Sequence, residues 1–199
     1  PKGDANEWFS YDGVGGIPLG GGLRQFAFAW RFDGIRMLIS SELTSESRIL
    51  FNRDINTRIN ALAPFIRWDD DKYQVVADGQ LWFMCDGYTV SEWYPYSEPF
   101  DGVNYIRNSV KAVVNAYTGQ VDFYVFDEKD PIIASYRNIF PGLFKPASQM
   151  PESLRKHIRY PEDLLTVQGQ VYSNYHMSDS GVFYNKEDAW QFANQFSPT

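Results

Sequence analysis

The stretch VNYIRNSVKAVVNAYTGQVDFYVF, residues 103–126, decides the fold that the sequence predicts. Its two halves, Val103–Ala116 and Val121–Phe126, are rich in β-branched and aromatic residues, and Thr118-Gly119 lies between them. Two such runs around a short glycine-containing turn are typical of a β-hairpin. In the first half, alternate positions differ in character. One face is apolar (Ile106, Val110, Ala112 and Val114) and the other is polar (Tyr105, Arg107, Ser109, Lys111 and Asn115). We therefore expect an antiparallel sheet that is covered on one face only.

A second hairpin precedes the first, because Tyr73–Ala77 and Gln80–Cys85 flank Asp78-Gly79, a dipeptide favoured in two-residue turns. Helical patterns lie on both sides of these strands. They predict helices at Leu23–Phe32, at Arg48–Phe65, after Asp130-Pro131, after Pro161 and from Asn185. The sequence therefore predicts an α+β fold, a central antiparallel sheet at about 73–126 flanked by helices from both ends of the chain. We expect one domain over 1–199, with a loop-rich segment 1–22, a helical part 23–65 and a second helical part 130–192.

Two of these helices carry predictions about burial. The helix at Leu23–Phe32 is apolar nearly all round, which predicts that it is buried. In the helix at Arg48–Phe65, Ile55, Ile59 and Leu62 recur at helical spacing and should face the core, and Pro64 should end the helix.

Composition excludes several classes of function. The net charge of −7 and the pI near 4.8 argue against a nucleic-acid partner and against broad docking onto anionic lipid. One cysteine, Cys85, and two histidines allow no disulfide and no Cys/His zinc site within the chain, and we expect a buried, inert thiol. Asp69-Asp70-Asp71 is either a calcium site or a solvated turn, and the missing ligand spacing favours the turn. We expect no metal and no cofactor.

SEWYPYSEPF, residues 91–100, is the most unusual segment. Trp93, Tyr94, Tyr96 and Phe100 form either a surface that a ligand or partner contacts or a lid folded onto the protein's own core. Its two prolines favour a stiff, extended arm. The lid hypothesis predicts that Trp93 or Tyr94 is buried while Glu92 and Glu98 remain in water.

Signals for catalysis or anion binding are weak. Ser45, Ser47, Arg48 and Arg53 form a possible anion site near a helix start. The glycine-rich residues 13–22 lack a phosphate-loop spacing and favour a tightly turned loop. Carboxylates near 86–101 allow an enzymatic alternative (Asp86, Glu92, Glu98 and Asp101). No catalytic residue is identified, and the pattern leans away from an enzyme.

Several segments together resemble uncharacterised protein family 0182. They are YDGVGGIPLG (11–20), SRILFNRDINTRINALAPF (47–65), GVNYIRNSVKAVVNAYTG (102–119) and PGLFKPASQMPESLRKHIRYPEDL (141–164). The resemblance spans roughly residues 8–192. It implies a large bacterial membrane protein with several transmembrane helices and a large extracytoplasmic region, of which this chain would be part. The family has no assigned activity, so no residue role carries over.

The resemblance and the residues together predict a module for binding or assembly at the cell envelope, on the extracytoplasmic side of the cell membrane. The expected partners are the transmembrane part of the parent chain and an envelope protein, polysaccharide or lipid. Two alternatives stay open at this stage. The first is an envelope enzyme that acts on polysaccharide or lipid, and the second is a solute-sensing module with a pocket between sheet and helices.

Overall fold

The computed structural model describes residues 11–32, 34–44 and 46–193, so predictions for residues 1–10 and for Ser45 lie outside the described residues. The strands are β1 (Ile17–Pro18), β2 (Arg48–Ile49), β3 (Arg67–Trp68), β4 (Tyr73–Ala77), β5 (Gln80–Ser91), β6 (Tyr105–Asn115), β7 (Val121–Val125) and β8 (Phe144–Pro146). The helices are α1 (Leu23–Arg31), α2 (Arg36–Ile39), α3 (Ile55–Leu62), α4 (Pro131–Ile139), α5 (Glu152–Arg155), α6 (Glu162–Tyr175) and α7 (Ser180–Asn185), with a 3-10 turn at Ala147–Gln149. The predicted α+β class is confirmed.

The main sheet has six strands in the order β3-β5-β6-β7-β8, and β4 pairs with the other half of β5. Its central pairs are antiparallel, as the two hairpins predicted, whereas β7 and β8 are parallel, so the sheet is mixed. Both hairpin turns have the expected chemistry. Asp78 and Gly79 have φ angles of 52° and 74°, the left-handed pair that a type I′ turn needs, and Gly119 has a φ of 70°. β1 and β2 form a separate two-stranded sheet.

The main sheet is covered on both faces, which corrects the expectation of one polar, open face. On one face, Val110, Ala112 and Val114 pack with Ile59 of α3 and Ile133 of α4. On the other face lies a second cluster (Val75, Ala77, Met84, Val113, Tyr124, Met150 and Leu154). The chain after β7 returns through β8 and α5 to build this second layer, which strand alternation alone does not reveal. Lys111 and Asn115 are consequently buried.

A β-bulge divides the predicted faces of β6. The register shifts between Gly87 and Thr89, because two residues of β6 stand opposite Tyr88. Side chains before the bulge therefore point to the other face from those predicted by simple alternation. Ile106 is absent from the buried cluster that contains Val110, and it lines a groove against α6 instead.

Helix α3 corrects the predicted helix at Arg48–Phe65. It begins at Ile55, where the Asp54 side chain accepts a hydrogen bond from the Thr57 N–H at 2.8 Å. The chain cannot be helical through Asn52, whose φ is 50°. Ile59 is fully buried and Ile55 packs against the same cluster, as predicted, but Leu62 is 47% exposed. The prediction for Leu62 is wrong because its side chain lies on the solvent side of the last turn of α3, whereas Ala63, directly after it, is fully buried in the core cluster.

The other helices confirm or correct their predictions as follows. α1 forms, yet only Ala29 in it is buried, so its predicted burial is wrong. Asp130 caps α4 with Pro131 at its first position, and α6 starts directly after Pro161, both as predicted. The last helix ends at Asn185 instead of starting there, because Asp179 supplies the cap. Within the described residues, every helix is too short or too polar to cross a membrane.

Candidate functional site

Residues 92–103, in the connection between β5 and β6, are here named the aromatic arm. Trp93 is 83% exposed, Tyr94 is 55% exposed and the Tyr96 side chain is completely exposed, whereas Phe100 is half-buried. The expectation that Trp93 or Tyr94 is buried is therefore wrong, and the lid hypothesis fails on the criterion of burial. Glu92 and Glu98 lie in water, as expected.

Asn104 holds the aromatic arm in one conformation. Its side-chain oxygen accepts from the Tyr94 N–H at 2.9 Å, and its amide nitrogen donates to the carbonyls of Tyr94 at 2.8 Å and Ser97 at 3.2 Å. Phe100 and Val103 exchange two backbone hydrogen bonds at the other end of the arm, of 2.7 and 3.1 Å. The arm is thus closed by hydrogen bonds at both ends, and its exposed rings are displayed by an ordered loop.

The three exposed rings differ in what supports them. Tyr94 stacks on Tyr105 with ring centroids 5.6 Å apart, and the Tyr105 hydroxyl donates to Asp130 at 2.8 Å. Tyr96 has a φ of 59°, a left-handed conformation that is unfavourable for a bulky side chain. Because its ring is fully exposed, packing within the described residues does not offset this backbone cost. Strain combined with display is typical of a functional contact.

A groove of about 370 Å³ lies beside the arm. Phe100 and Ile106 line one side, and Val167 and Val171 of α6 line the other. Polar side chains stand among these apolar ones (Ser97, Glu98, Gln170, Asn174 and Lys186). An apolar trough with a few polar groups has the chemistry of a small-molecule or peptide site.

Asp130 organises a buried polar cluster between the arm and α4. Its carboxylate accepts from Thr89 at 2.5 Å, Ser109 at 2.6 Å, Tyr105 at 2.8 Å and the Ile132 N–H at 3.0 Å. Burial alone would raise the pKa of Asp130, but the hydrogen bonds from Ser109, Thr89 and Tyr105 outweigh it and lower the pKa. The cluster is a satisfied structural network that fixes Tyr105, and through it Tyr94.

Asp86, which the enzymatic alternative used, is not accessible. Its carboxylate pairs with Lys111 directly opposite on β6, and both side chains are buried. Asn108 also accepts from the Lys111 ammonium at 3.0 Å. Asp101 is paired with Arg67 at 2.9 Å on the surface. Only Glu92 and Glu98 of the four carboxylates remain free of these pairs within the described residues.

Asp69 is buried, so the expectation of a solvated turn is wrong for this residue. It accepts from the Tyr88 hydroxyl, from the Asp71 N–H at 2.7 Å and from the Asp163 N–H at 3.2 Å. The last contact places a negative charge at the N-terminus of α6, which stabilises that helix. Burial, together with the hydrogen bond to Asp69, raises the pKa of Tyr88, and burial followed by the Asp69 charge raises the pKa of Asp163.

Thiol reactivity and metal binding are two further kinds of chemistry that the sequence raised. Cys85 is buried, as predicted, and burial raises the pKa of its thiol to about 12, which disfavours the reactive thiolate. Within the described ranges, no three His, Cys, Asp or Glu side chains converge in a way that suits a metal ion.

The residues of the predicted anion site have separate roles. The Arg48 guanidinium donates to the carbonyls of Gly15 at 2.5 Å, Gly16 at 2.9 Å and Val14 at 3.0 Å, so it holds the glycine-rich loop. Ser47 accepts from the Thr44 N–H at 3.0 Å, and Arg53 is exposed on a different groove. The anion site stays a prediction, and its central arginine is occupied by backbone carbonyls.

Comparison with known proteins gives a family and no activity. Residues 1–199 match the family described as Uncharacterised protein family (UPF0182). The chain belongs to this family. UPF0182 proteins of known sequence are similar to it along nearly its whole length. The protein from Desulforamulus reducens is 51% identical over 193 residues, 96% of this chain and 21% of the relative.

Two further UPF0182 relatives come from other organisms. The protein bll7333 of Bradyrhizobium diazoefficiens is 49% identical over 197 residues, covering 98% of this chain and 21% of that protein. The protein from Synechococcus sp. is 48% identical over 198 residues, covering 98% of this chain and 23% of that protein. The chain thus spans about a fifth of the length of these relatives. No solved structure matches it.

Proposed function

We propose that this UPF0182 chain is an extracytoplasmic module of a multi-pass membrane protein in the bacterial cell envelope, where it acts in binding or assembly. The aromatic arm is its contact surface. One observation carries the proposal: Trp93 and Tyr96 are exposed on a loop that Asn104 holds in a fixed conformation.

Energetics favour contact over accidental exposure. Large aromatic side chains dominate binding energy at protein interfaces when a partner buries them. An arm that is already ordered pays little conformational entropy when it binds. A flexible loop with the same rings would lose much of this advantage. The arm therefore has the pre-organisation expected of a docking surface.

The rest of the parent polypeptide is the partner that we favour. The chain spans about a fifth of its relatives' length, which leaves a large part of those proteins able to pack on it. The transmembrane part named by the family resemblance is one such partner, and an envelope protein, polysaccharide or lipid is the other. The acidic net charge of −7 argues against nucleic acid in this role.

Site-specific photo-crosslinking tests this proposal. A photoreactive residue replaces Tyr96 in the full-length protein within its membrane, and the matched control carries it at Val76, an exposed position on β4. We expect position 96 to crosslink to segments of the same polypeptide beyond these 199 residues, and position 76 to give background. If position 96 crosslinks to other proteins and not to its own polypeptide, the partner of the arm is an envelope protein. Equal background from both positions would contradict a docking role for the arm.

The groove against α6 supports a second candidate function, solute sensing. It lies where the solute-sensing alternative requires a pocket, with Val167 and Val171 facing Phe100 and Ile106. Replacing Val171 with Trp would fill this volume. If a solute binds there, Val171→Trp abolishes its binding in a thermal-shift screen, whereas Val76→Trp on β4 does not. An identical set of thermal shifts for both variants would reject the groove as the solute site.

A further inference from the structure

Helix α1 presents an apolar face to solvent. Leu23, Phe26 and Trp30 recur at helical spacing on one side of it, and Leu23 and Trp30 are 88% and 82% exposed. Ile35 and Ile39, at the start and end of the neighbouring helix α2, are also exposed. These residues form a contiguous run of chain, residues 23–39, that is here named the helical hairpin.

The opposite side of α1 is already occupied by the protein itself. Ala29 is buried, and its carbonyl accepts from the Gly34 N–H at 2.8 Å. Gln25 donates to the Met37 carbonyl at 2.5 Å, which ties α1 to α2. Phe32 joins the hairpin to the body through Phe51, with ring centroids 5.9 Å apart. The hairpin is therefore packed on its inner side and keeps a separate apolar outer side.

Charge distinguishes this surface from the rest of the chain. Arg24 and Arg31 on α1 and Arg36 on α2 are all exposed. Between residues 14 and 41 the only acid in the sequence is Asp33, although the whole chain has a net charge of −7. Around the helix axis, Arg24 and Arg31 fall next to the arc of Leu23, Phe26 and Trp30. Both arginines fall on the same side of this arc, so cations border the apolar face along one edge.

We propose that the helical hairpin is a membrane-interface anchor that lies on an anionic lipid bilayer. Leu23, Phe26 and Ile39 would enter the acyl boundary, and Trp30 would sit at the headgroup level that tryptophan prefers. Arg24 and Arg31 would contact lipid phosphates. Such a short amphipathic helix with an apolar face and arginine flanks has the pattern of helices that lie in the bilayer plane.

Charge also favours lipid over a second copy of the chain. Two hairpins packed face to face would bring the arginines of both copies together around an apolar contact, and like charges at an interface oppose association. The net charge argues against broad electrostatic docking, so attraction to lipid must be local, as the three arginines are. The proposal is independent of the aromatic arm, which lies on another part of the chain.

Vesicle flotation of the 199-residue chain tests the proposal. The probes are vesicles of phosphatidylcholine alone and vesicles with phosphatidylglycerol added, each at low and high salt. The test variant is Trp30→Ser, and the matched control is Tyr184→Ser, which removes a similarly exposed aromatic side chain from α7, outside both the hairpin and the arm. Circular dichroism of each variant checks that it is folded. A third variant, Arg24→Gln with Arg31→Gln, removes charge and leaves the apolar face intact.

We expect the chain to float with phosphatidylglycerol vesicles and to bind phosphatidylcholine more weakly. Trp30→Ser should weaken vesicle binding about tenfold or more, and Tyr184→Ser should leave it unchanged. The double arginine variant should bind vesicles about fivefold more weakly for each charge removed, and its binding should no longer depend on salt. No flotation, or equal losses from Trp30→Ser and Tyr184→Ser, would overturn the proposal. A chain that ignores vesicles and is a dimer in light scattering, made monomeric by Trp30→Ser, would assign the surface to a second copy instead.

Discussion

The interior of the sheet buries polar side chains, whereas the aromatic arm exposes apolar ones. Under the sheet, charged and polar groups are buried and each of the main ones has partners, as Asp86 has Lys111 and Asp130 has Ser109. On the arm, apolar rings that favour burial are exposed, with Trp93 and Tyr96 as the extreme cases. Tyr105 links the two regions, because it stacks on Tyr94 and donates to Asp130.

This difference separates stability from function within one chain. Buried polar groups are costly to disturb, because an unpaired charge in the interior loses its solvation without compensation. Removing exposed rings from the isolated chain should change its free energy of unfolding little, since these rings bury little area there. Substitutions in the interior should therefore change the free energy of unfolding, and substitutions on the arm should change contacts with a partner.

The buried ion pair gives the largest expected effect. Lys111→Met should lower the free energy of unfolding by about 3–5 kcal/mol, because it leaves the Asp86 carboxylate buried without its partner. The double variant Asp86→Leu with Lys111→Met should regain most of this loss. Urea denaturation of the three proteins measures both steps. A loss below about 1 kcal/mol for Lys111→Met would mean that Asp86 reaches water in solution.

Helix α3 offers a comparison between two of its own residues. Ile59→Ala should cost about 2–5 kcal/mol, because Ile59 is fully buried between the sheet and α4. Leu62→Ala, one turn later and half exposed, should cost only about 0.5 kcal/mol. The same denaturation assay measures both. Equal losses would place Leu62 in the core and would contradict its exposure in the structure.

The lowered pKa of Asp130 predicts that the free energy of unfolding depends on pH. Its pKa in the folded state lies below the ordinary value of 3.8, so its ionised form stabilises the fold above that pH. This contribution is lost as the pH falls from about 4 through the lowered folded pKa. Asp130→Asn should cost about 1–2 kcal/mol at neutral pH and should show a shallower loss of stability in acid. Parallel acid profiles for the two proteins would show that Asp130 is not the group responsible.

The smallest expected effect is on the arm. Trp93→Ser combined with Tyr96→Ser should change the free energy of unfolding of the isolated chain by no more than about 1 kcal/mol. If the loss approaches that of Ile59→Ala, the arm is part of the core in solution and the comparison between the two regions fails.

Local signals predicted much of the fold correctly. Asp78-Gly79 and Thr118-Gly119 determine their turns within a few residues, and Asp130-Pro131 determines a helix start in the same way. The periodicity around Ile59 located a buried helix face although it placed the helix start too early. These features depend on backbone preferences of neighbouring residues, which a sequence displays directly.

The rest depends on contacts between distant residues. Asp69 resembles a solvated acid next to two others, and only the fold brings Tyr88 and the N-terminus of α6 to it. The bulge beside Gly87 changes which side chains of β6 lie on each face of the sheet, and the alternation of apolar and polar residues does not reveal it. Hydrophobicity predicted burial for Trp93 or Tyr94 and for α1, but both aromatic side chains and most of α1 are exposed.

Hydroxyl-radical footprinting of Trp93 and Tyr96, in the isolated chain and in the full-length protein within its membrane, tests the central claim most directly. The buried ring of Phe123 is the internal control and should remain unmodified in both samples. We predict rapid modification of Trp93 and Tyr96 in the isolated chain and strong protection of both in the full-length protein. Equal modification rates in the two samples would contradict a docking role for the aromatic arm.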